Sequence, residues 1–317
     1  MRLPLHLRLN SRLASPKSFF LIPAAARPPP KFRHAFTRTM SSSTTAPTPN
    51  GTAAKKPANA KKEIKILMLH GFTQSGNLFR FKTRALEKLM AKSLAPFSIL
   101  PVLTYPTGPN RLSPRDVPGY EQENAEADDS AELDAWSWWR KDDPTGSYRH
   151  LDLGVRAAAA AIREAGGDVD GVLGFSQGGA FAALLTAMLE LPHREVPEDF
   201  RPWVEELREA NGGKPFRFAV VYSGFPATPE ELKWAYEPKI RTPSLHMIGS
   251  LDTVVEESRS QGLAERFEDP MVVVHPGGHY VPIAKQWAMP LIGFIKKAAD
   301  QKAEESAAEE KAPENKV

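Results

Sequence analysis

The chain has 317 residues, enough for one large domain with a sizeable core, and contains no cysteine, which excludes disulfides, thiolate catalysis and cysteine-held metal centres. Its formal charge of +3 hides an asymmetry: residues 1–62 hold 12 of the 41 basic residues and no acid, so 29 basic residues face all 38 acidic ones and residues 63–317 carry −9. A body of that sign repels phosphate backbones, which argues against nucleic acid as a partner, and no apolar run approaches the roughly 20 residues of a membrane-spanning helix.

The first forty residues contain six Arg, two Lys and no acid, the composition of a mitochondrial transit peptide, although Pro4 and Pro28-Pro29-Pro30 interrupt any long amphipathic helix and Met40 offers an alternative start. The expected location is therefore cytoplasmic or mitochondrial. Residues 1–62 read as a basic extension and linker, 63–299 as the folded domain, and 300–317 as a charged tail that prolongs the last helix before fraying.

From Glu63 onward, short apolar runs alternate with longer helical ones, the order expected of an α/β domain with a largely parallel sheet. Strands are expected at Ile64–Leu69, Phe97–Leu103, Val169–Gly174, Phe216–Ser223, Ser244–Ile248 and Met271–Val274. Helices are expected at Asn77–Ser93, Tyr148–Ala165, Gln177–Glu190, Glu256–Phe267 and Pro282–Ala299. The charged, proline-bearing stretch Leu191–Pro215 reads as an excursion between elements. Thr104–Thr145 is long, acidic over Glu121–Asp134, then aromatic at Trp136, Trp138 and Trp139; such a loop is either disordered or functional, as lids are.

The sharpest motif is Gly174-Phe175-Ser176-Gln177-Gly178, G-x-S-x-G between a strand-like and a helix-forming run. Glycines flank the serine because side chains at 174 and 178 would collide with neighbouring backbone in so tight a turn. The serine hydroxyl is held clear of the sheet at a helix N-terminus, where the dipole favours negative charge. A capping serine in an ordinary glycine-bearing turn would look similar in isolation, so the reading needs a histidine base and an acid to orient it. Both follow in the order Ser, Asp, His: Asp252 ends Gly249-Ser250-Leu251-Asp252 after one strand, and His279 ends His275-Pro276-Gly277-Gly278-His279 after the next. Strand C-terminal ends are where the functional groups of open α/β sheets collect. His275 sits where a strand is finishing, where its ring packs or hydrogen-bonds locally, His246 falls within a strand, and His193, His150, His34 and His6 lie in the excursion, at a helix start and in the extension, so His279 is the best base. Asp168, Asp170 and Asp269 are weaker acids by position.

An oxyanion site needs two backbone N–H donors, one after the nucleophile and one from the loop after an early strand. Gln177 and Phe72 are the candidates, with His70 bracing the His70–Gly76 loop. That loop holds no phosphate-binding glycine pattern, so no nucleotide is implied. Trp136, Trp138, Trp139, Phe225 and Tyr105 are candidate walls of an apolar acyl pocket; the alternative is that the tryptophans pin the insertion to the domain body.

With these motifs, together with Ile66–Phe72, Tyr222-Ser223-Gly224-Phe225 and the Gly278-His279 pair, the chain resembles the FSH family of serine hydrolases over roughly Lys65–Phe294. The resemblance implies an α/β-hydrolase fold, with a mostly parallel central sheet of about six strands flanked by helices, and Ser176, Asp252 and His279 as nucleophile, orienting acid and base. It also implies hydrolysis of a carboxylic ester or thioester through an acyl-enzyme. Alternatives are an acyl-carrier thioesterase of secondary metabolism and a non-catalytic binding protein on the same fold. The expected partner is a small-molecule acyl ester or thioester. Neither cofactor nor metal is required.

Overall fold

The near-continuous apolar run Ile64–Leu69 suits a strand covered on both faces. In the computed structural model, which describes residues 61–117, 133–190 and 194–311, it lies in β1 (Lys62–Leu69). Ile64, Ile66 and Met68 point into one apolar layer, and Leu67 and Leu69 into the other. Of the extension expected at 1–62, residues 1–60 lie outside the described residues, as do most of the acidic stretch Glu121–Asp134 and His193, and Lys62 already belongs to β1.

After β1 come α1 (Gly76–Leu94), β2 (Ile99–Thr104), and two short antiparallel pairs, β3 (Asn110–Arg111) with β4 (Trp136–Ser137) and β5 (Arg140–Lys141) with β6 (Tyr148–Arg149). The remainder is α2 (Leu151–Glu164), β7 (Gly171–Phe175), α3 (Gln177–Leu189), α4 (Arg201–Ala210), β8 (Phe218–Tyr222), β9 (Ser244–Gly249), α5 (Glu257–Ala264), β10 (Pro270–His275) and α6 (Lys285–Lys311). Six strands form one parallel sheet in the order β10-β9-β8-β7-β1-β2. All six expected strands and all five expected helices are present. This is the α/β-hydrolase architecture that the motifs implied.

The chain winds outward from β1 to the edge strand β2, then crosses back to β7 and proceeds the other way. Loops leaving the C-terminal ends of β1 and β7 therefore diverge and leave a crevice, the usual place for a ligand in open α/β sheets. One apolar layer packs α1 and α6 on the sheet through Phe79, Leu86, Leu291 and Ile295; the other packs α2, α3 and α4. α3 is buried along its whole length, so its N-terminus is held by packing on every side.

Three local differences from the expectations have simple causes. Phe97 closes a 3-10 turn, and Ser98 at φ 57° redirects the chain so that β2 begins at Ile99. Tyr148 and Arg149 pair with β5, which delays α2 to Leu151. The Leu191–Pro215 excursion contains α4, whose Trp203, Val204, Leu207 and Ala210 form a buried stripe despite its charge.

Candidate active site

Ser176 follows β7 and precedes α3, at φ 55° and ψ −119°, a conformation that is strained for a residue with a side chain. The turn is over-determined. Its N–H donates to Tyr222 O at 2.9 Å, and its carbonyl accepts from the N–H groups of Gly179 and Ala180. A Cβ on Gly174 would lie 1.9 Å from Gly178 O, and one on Gly178 would lie 2.2 Å from Leu69 O and 2.4 Å from His70 O. No side chain fits at either position.

Asp252 and His279 arrive on loops that are tied to one another. Ser250 N–H donates to His275 O and Leu251 N–H to Gly277 O, and the loops approach so closely that a Cβ on Gly249 would meet Gly277 O at 2.6 Å. The result is a continuous relay. Asp252 Oδ2 lies 2.8 Å from His279 Nδ1, and His279 Nε2 lies 2.9 Å from Ser176 Oγ. The serine is 8 % exposed, so it is sheltered but reachable.

The electrostatics agree with the geometry. Burial of Asp252 works to raise its pKa, but hydrogen bonds from the Val255 N–H, the His279 ring and the Val254 N–H outweigh it, holding the carboxyl below its usual range. An ionised carboxylate accepts from Nδ1–H and leaves Nε2 as the acceptor facing Ser176. The imidazole also lies against the Phe175 ring, 4.8 Å between centroids.

The N–H groups of Phe72 and Gln177 have no acceptor among the described residues, and both residues border the space in front of Ser176. His70 braces the first of these loops: its Nδ1–H donates to Gly71 O and its Nε2 accepts from Gly108 N–H, each at 2.8 Å. Burial lowers the His70 pKa to about 4, which keeps this bridging tautomer neutral.

Ser176 stands where two cavities of about 590 and 580 Å³ meet, with Phe72 and Val254 also common to both. The first contains His279 and is walled by Phe79, Phe175 and Val281. The second contains Trp139, Tyr148 and Phe225. Of the residues expected as pocket walls, Trp139 and Phe225 line a cavity that borders Ser176, whereas Trp138 and Trp136 line neither cavity. Trp138 is fully buried, stacked on Phe181, with its indole N–H donating to His70 O; it pins the insertion to the body. Trp136 donates to Asp134 Oδ1 and lies under Arg111, outside both cavities. Tyr105 is engaged with Thr83, packed against Phe79.

The remaining candidates scatter. His275 packs on Tyr280 and Trp287, His246 is buried against Phe267 with its pKa lowered to about 3, and Asp170 binds Lys302 and Arg217 at the opposite end of β7. A third cavity of about 590 Å³ at that end is lined by ionic side chains such as Asp170, Glu190 and Arg217 and is remote from the relay. Among the described residues no cluster of three or more His, Asp or Glu side chains is arranged to hold a metal ion, and no helix is long and apolar enough to cross a membrane.

One functional feature escaped the motifs. The Gln177 side chain accepts from Trp138 N–H at 2.9 Å and donates to Trp139 O at 3.0 Å, clamping the second cavity's wall to the start of α3.

A family model described as "Serine hydrolase (FSH1)" matches residues 59–291. The zebrafish (Danio rerio) protein named Esterase OVCA2 is 32% identical over 250 residues, covering 74% of this chain and 97% of that protein. Family of serine hydrolases 2 from Saccharomyces cerevisiae is 32% identical over 247 residues, covering 74% and 95%. Among solved structures, Zea mays acyl-protein thioesterase 2 is similar in backbone at 18% identity, with a TM-score of 0.45, over 76% of this chain and 96% of that chain.

Proposed function

The chain belongs to the serine hydrolase (FSH1) family, and from that premise we propose that it hydrolyses a carboxylic ester or thioester through an acyl-enzyme formed on Ser176. The Ser176 Oγ attacks the acyl carbon while its proton passes to His279 Nε2, and Asp252 holds the ring's orientation and stabilises the imidazolium. The N–H groups of Phe72 and Gln177 hold the oxyanion, an arrangement in which one donor is typically worth roughly 10²–10³ in turnover. The bond to the leaving oxygen or sulfur then breaks, and Nε2 returns the proton to that atom. Water repeats the sequence on the acyl-enzyme, releasing the acid and restoring the serine. The acyl chain rests on the aromatic walls contributed by Trp139 and Phe225.

The observation that carries this reading is the relay from Asp252 through His279 to Ser176, with both hydrogen bonds under 3 Å. The test is covalent labelling by a fluorophosphonate together with turnover of acyl esters and thioesters of graded length. Labelling and turnover that disappear in Ser176→Ala are expected. A folded wild-type protein that refuses the label would favour a binding module on the same fold.

A further inference from the structure

The two cavities meeting at Ser176 are chemically unlike, and the proton's path decides which holds which half of the substrate. The imidazole delivers its proton to the departing atom, so the leaving group lies on the His279 side. That is the first cavity; the second borders Ser176 and Gln177 but not His279, and so receives the acyl group.

The second cavity has an aromatic floor and a charged rim. Trp139 and Tyr148 stack at 4.6 Å with an angle of 14°, and the Arg259 guanidinium lies 4.8 Å above the Phe225 ring. Arg115, Arg140, Lys141 and Arg259 line it against Asp116 and Asp143. Asp116 is paired with Arg140, which leaves Arg115, Lys141 and Arg259 exposed and without a carboxylate partner among the described residues. This surplus runs against the charge of the domain, since residues 63–317 carry −9 overall. Among the described residues these three cations face one unpaired carboxylate, Asp143; they come from separate segments yet converge on one mouth, where a cavity concentrates their field.

We propose that the preferred acyl group carries a carboxylate at its far end, so that the substrate is a monoester or monothioester of a dicarboxylic acid. This rests on the hydrolase reading and specifies its substrate. The scissile carbonyl sits at Ser176, the methylene chain crosses the aromatic floor, and the distal carboxylate reaches the cationic rim. Exposed charge pairs are individually weak, so three together correspond to a preference of roughly tenfold.

The experiment uses the full chain and three 4-nitrophenyl esters with the same leaving group: the hexanoate, the adipate monoester and the 6-aminohexanoate. Each kcat/KM is corrected for spontaneous hydrolysis and measured at low salt and at about 0.5 M salt, where exposed charges are largely screened. The adipate ester is expected to exceed the hexanoate by roughly tenfold and the aminohexanoate to fall below it. The adipate-to-hexanoate ratio should drop in high salt and in each of Arg115→Gln, Lys141→Gln and Arg259→Gln, with a melting curve showing that the variant is folded. Arg84→Gln, an exposed position of α1 outside both cavities, should leave the ratio unchanged. A wild-type enzyme that takes the adipate no better than the hexanoate, or a preference that survives in all three rim variants, overturns the proposal while the hydrolase reading stands. No turnover of any ester and no fluorophosphonate labelling would overturn both.

Discussion

Asp252→Asn isolates the orienting function of the carboxylate because the structure dictates how the amide must sit. Asp252 Oδ1 accepts the N–H groups of Val254 and Val255, both at 2.9 Å, while Oδ2 faces His279 Nδ1 at 2.8 Å. Turning the amide NH₂ towards the two backbone donors would leave both without an acceptor, at about 1–3 kcal/mol each, so the amide oxygen stays there. The NH₂ then confronts Nδ1–H, donor against donor. The imidazole escapes by moving its proton to Nε2, which now donates to Ser176 Oγ instead of accepting from it. The fold and contacts survive, but the base is in the wrong tautomer. The expected loss in kcat is about 10⁴, or ~5.5 kcal/mol of transition-state stabilisation, with fluorophosphonate labelling slowed in parallel. The assay is kcat on 4-nitrophenyl butyrate at neutral pH, with a thermal melt showing a folded protein. A folded variant within about tenfold of wild type would refute the assignment of Asp252.

Gly178→Ala should be among the most damaging single changes, costing more than about 4 kcal/mol in denaturant unfolding, because its Cβ would overlap two backbone carbonyl oxygens that cannot move independently of β1. Trp138→Ala should cost roughly 3–5 kcal/mol in stability without altering acyl-length preference, whereas Trp139→Ala should raise KM for longer acyl chains. His246 has a folded pKa of about 3 against 6.5 unfolded, so between those values the unfolded chain binds more protons and stability falls as pH falls. His246→Leu should remove that part of the acid sensitivity, on the order of 4 kcal/mol between pH 7 and pH 3; unfolding curves of the two proteins that remain parallel across that range would contradict it.

The strands and the relay were legible because each carries a dense local signal. β1 is an uninterrupted apolar run, and Gly174 and Gly178 announce a turn that admits no side chain. The order Ser176, Asp252, His279 follows from where the strands end, which hydropathy marks well. What stayed hidden depends on direction or convergence. Trp138 and Trp139 are adjacent, and only the pairing of β3 with β4 and of β5 with β6 sends one into the core and the other to a cavity wall. α4 was masked by its own charge: half of Arg201–Ala210 is ionic, and its apolar stripe covers a single face. The cationic rim is invisible in sequence because Arg115, Lys141 and Arg259 share no spacing; the fold alone assembles them.

Gln177 joins two tasks in one residue. Its main chain offers the N–H proposed to cradle the oxyanion, and its amide grips the link between β4 and β5 that carries Trp139. Selectivity and speed are thus geared together. On the proposed mechanism, remodelling the second cavity through its aromatic wall tugs on the very peptide that must stay still during the reaction, so enlarged variants should first appear as sluggish enzymes rather than permissive ones. Their recovery should come from compensating changes along residues 136–139, where the slack introduced can be taken up.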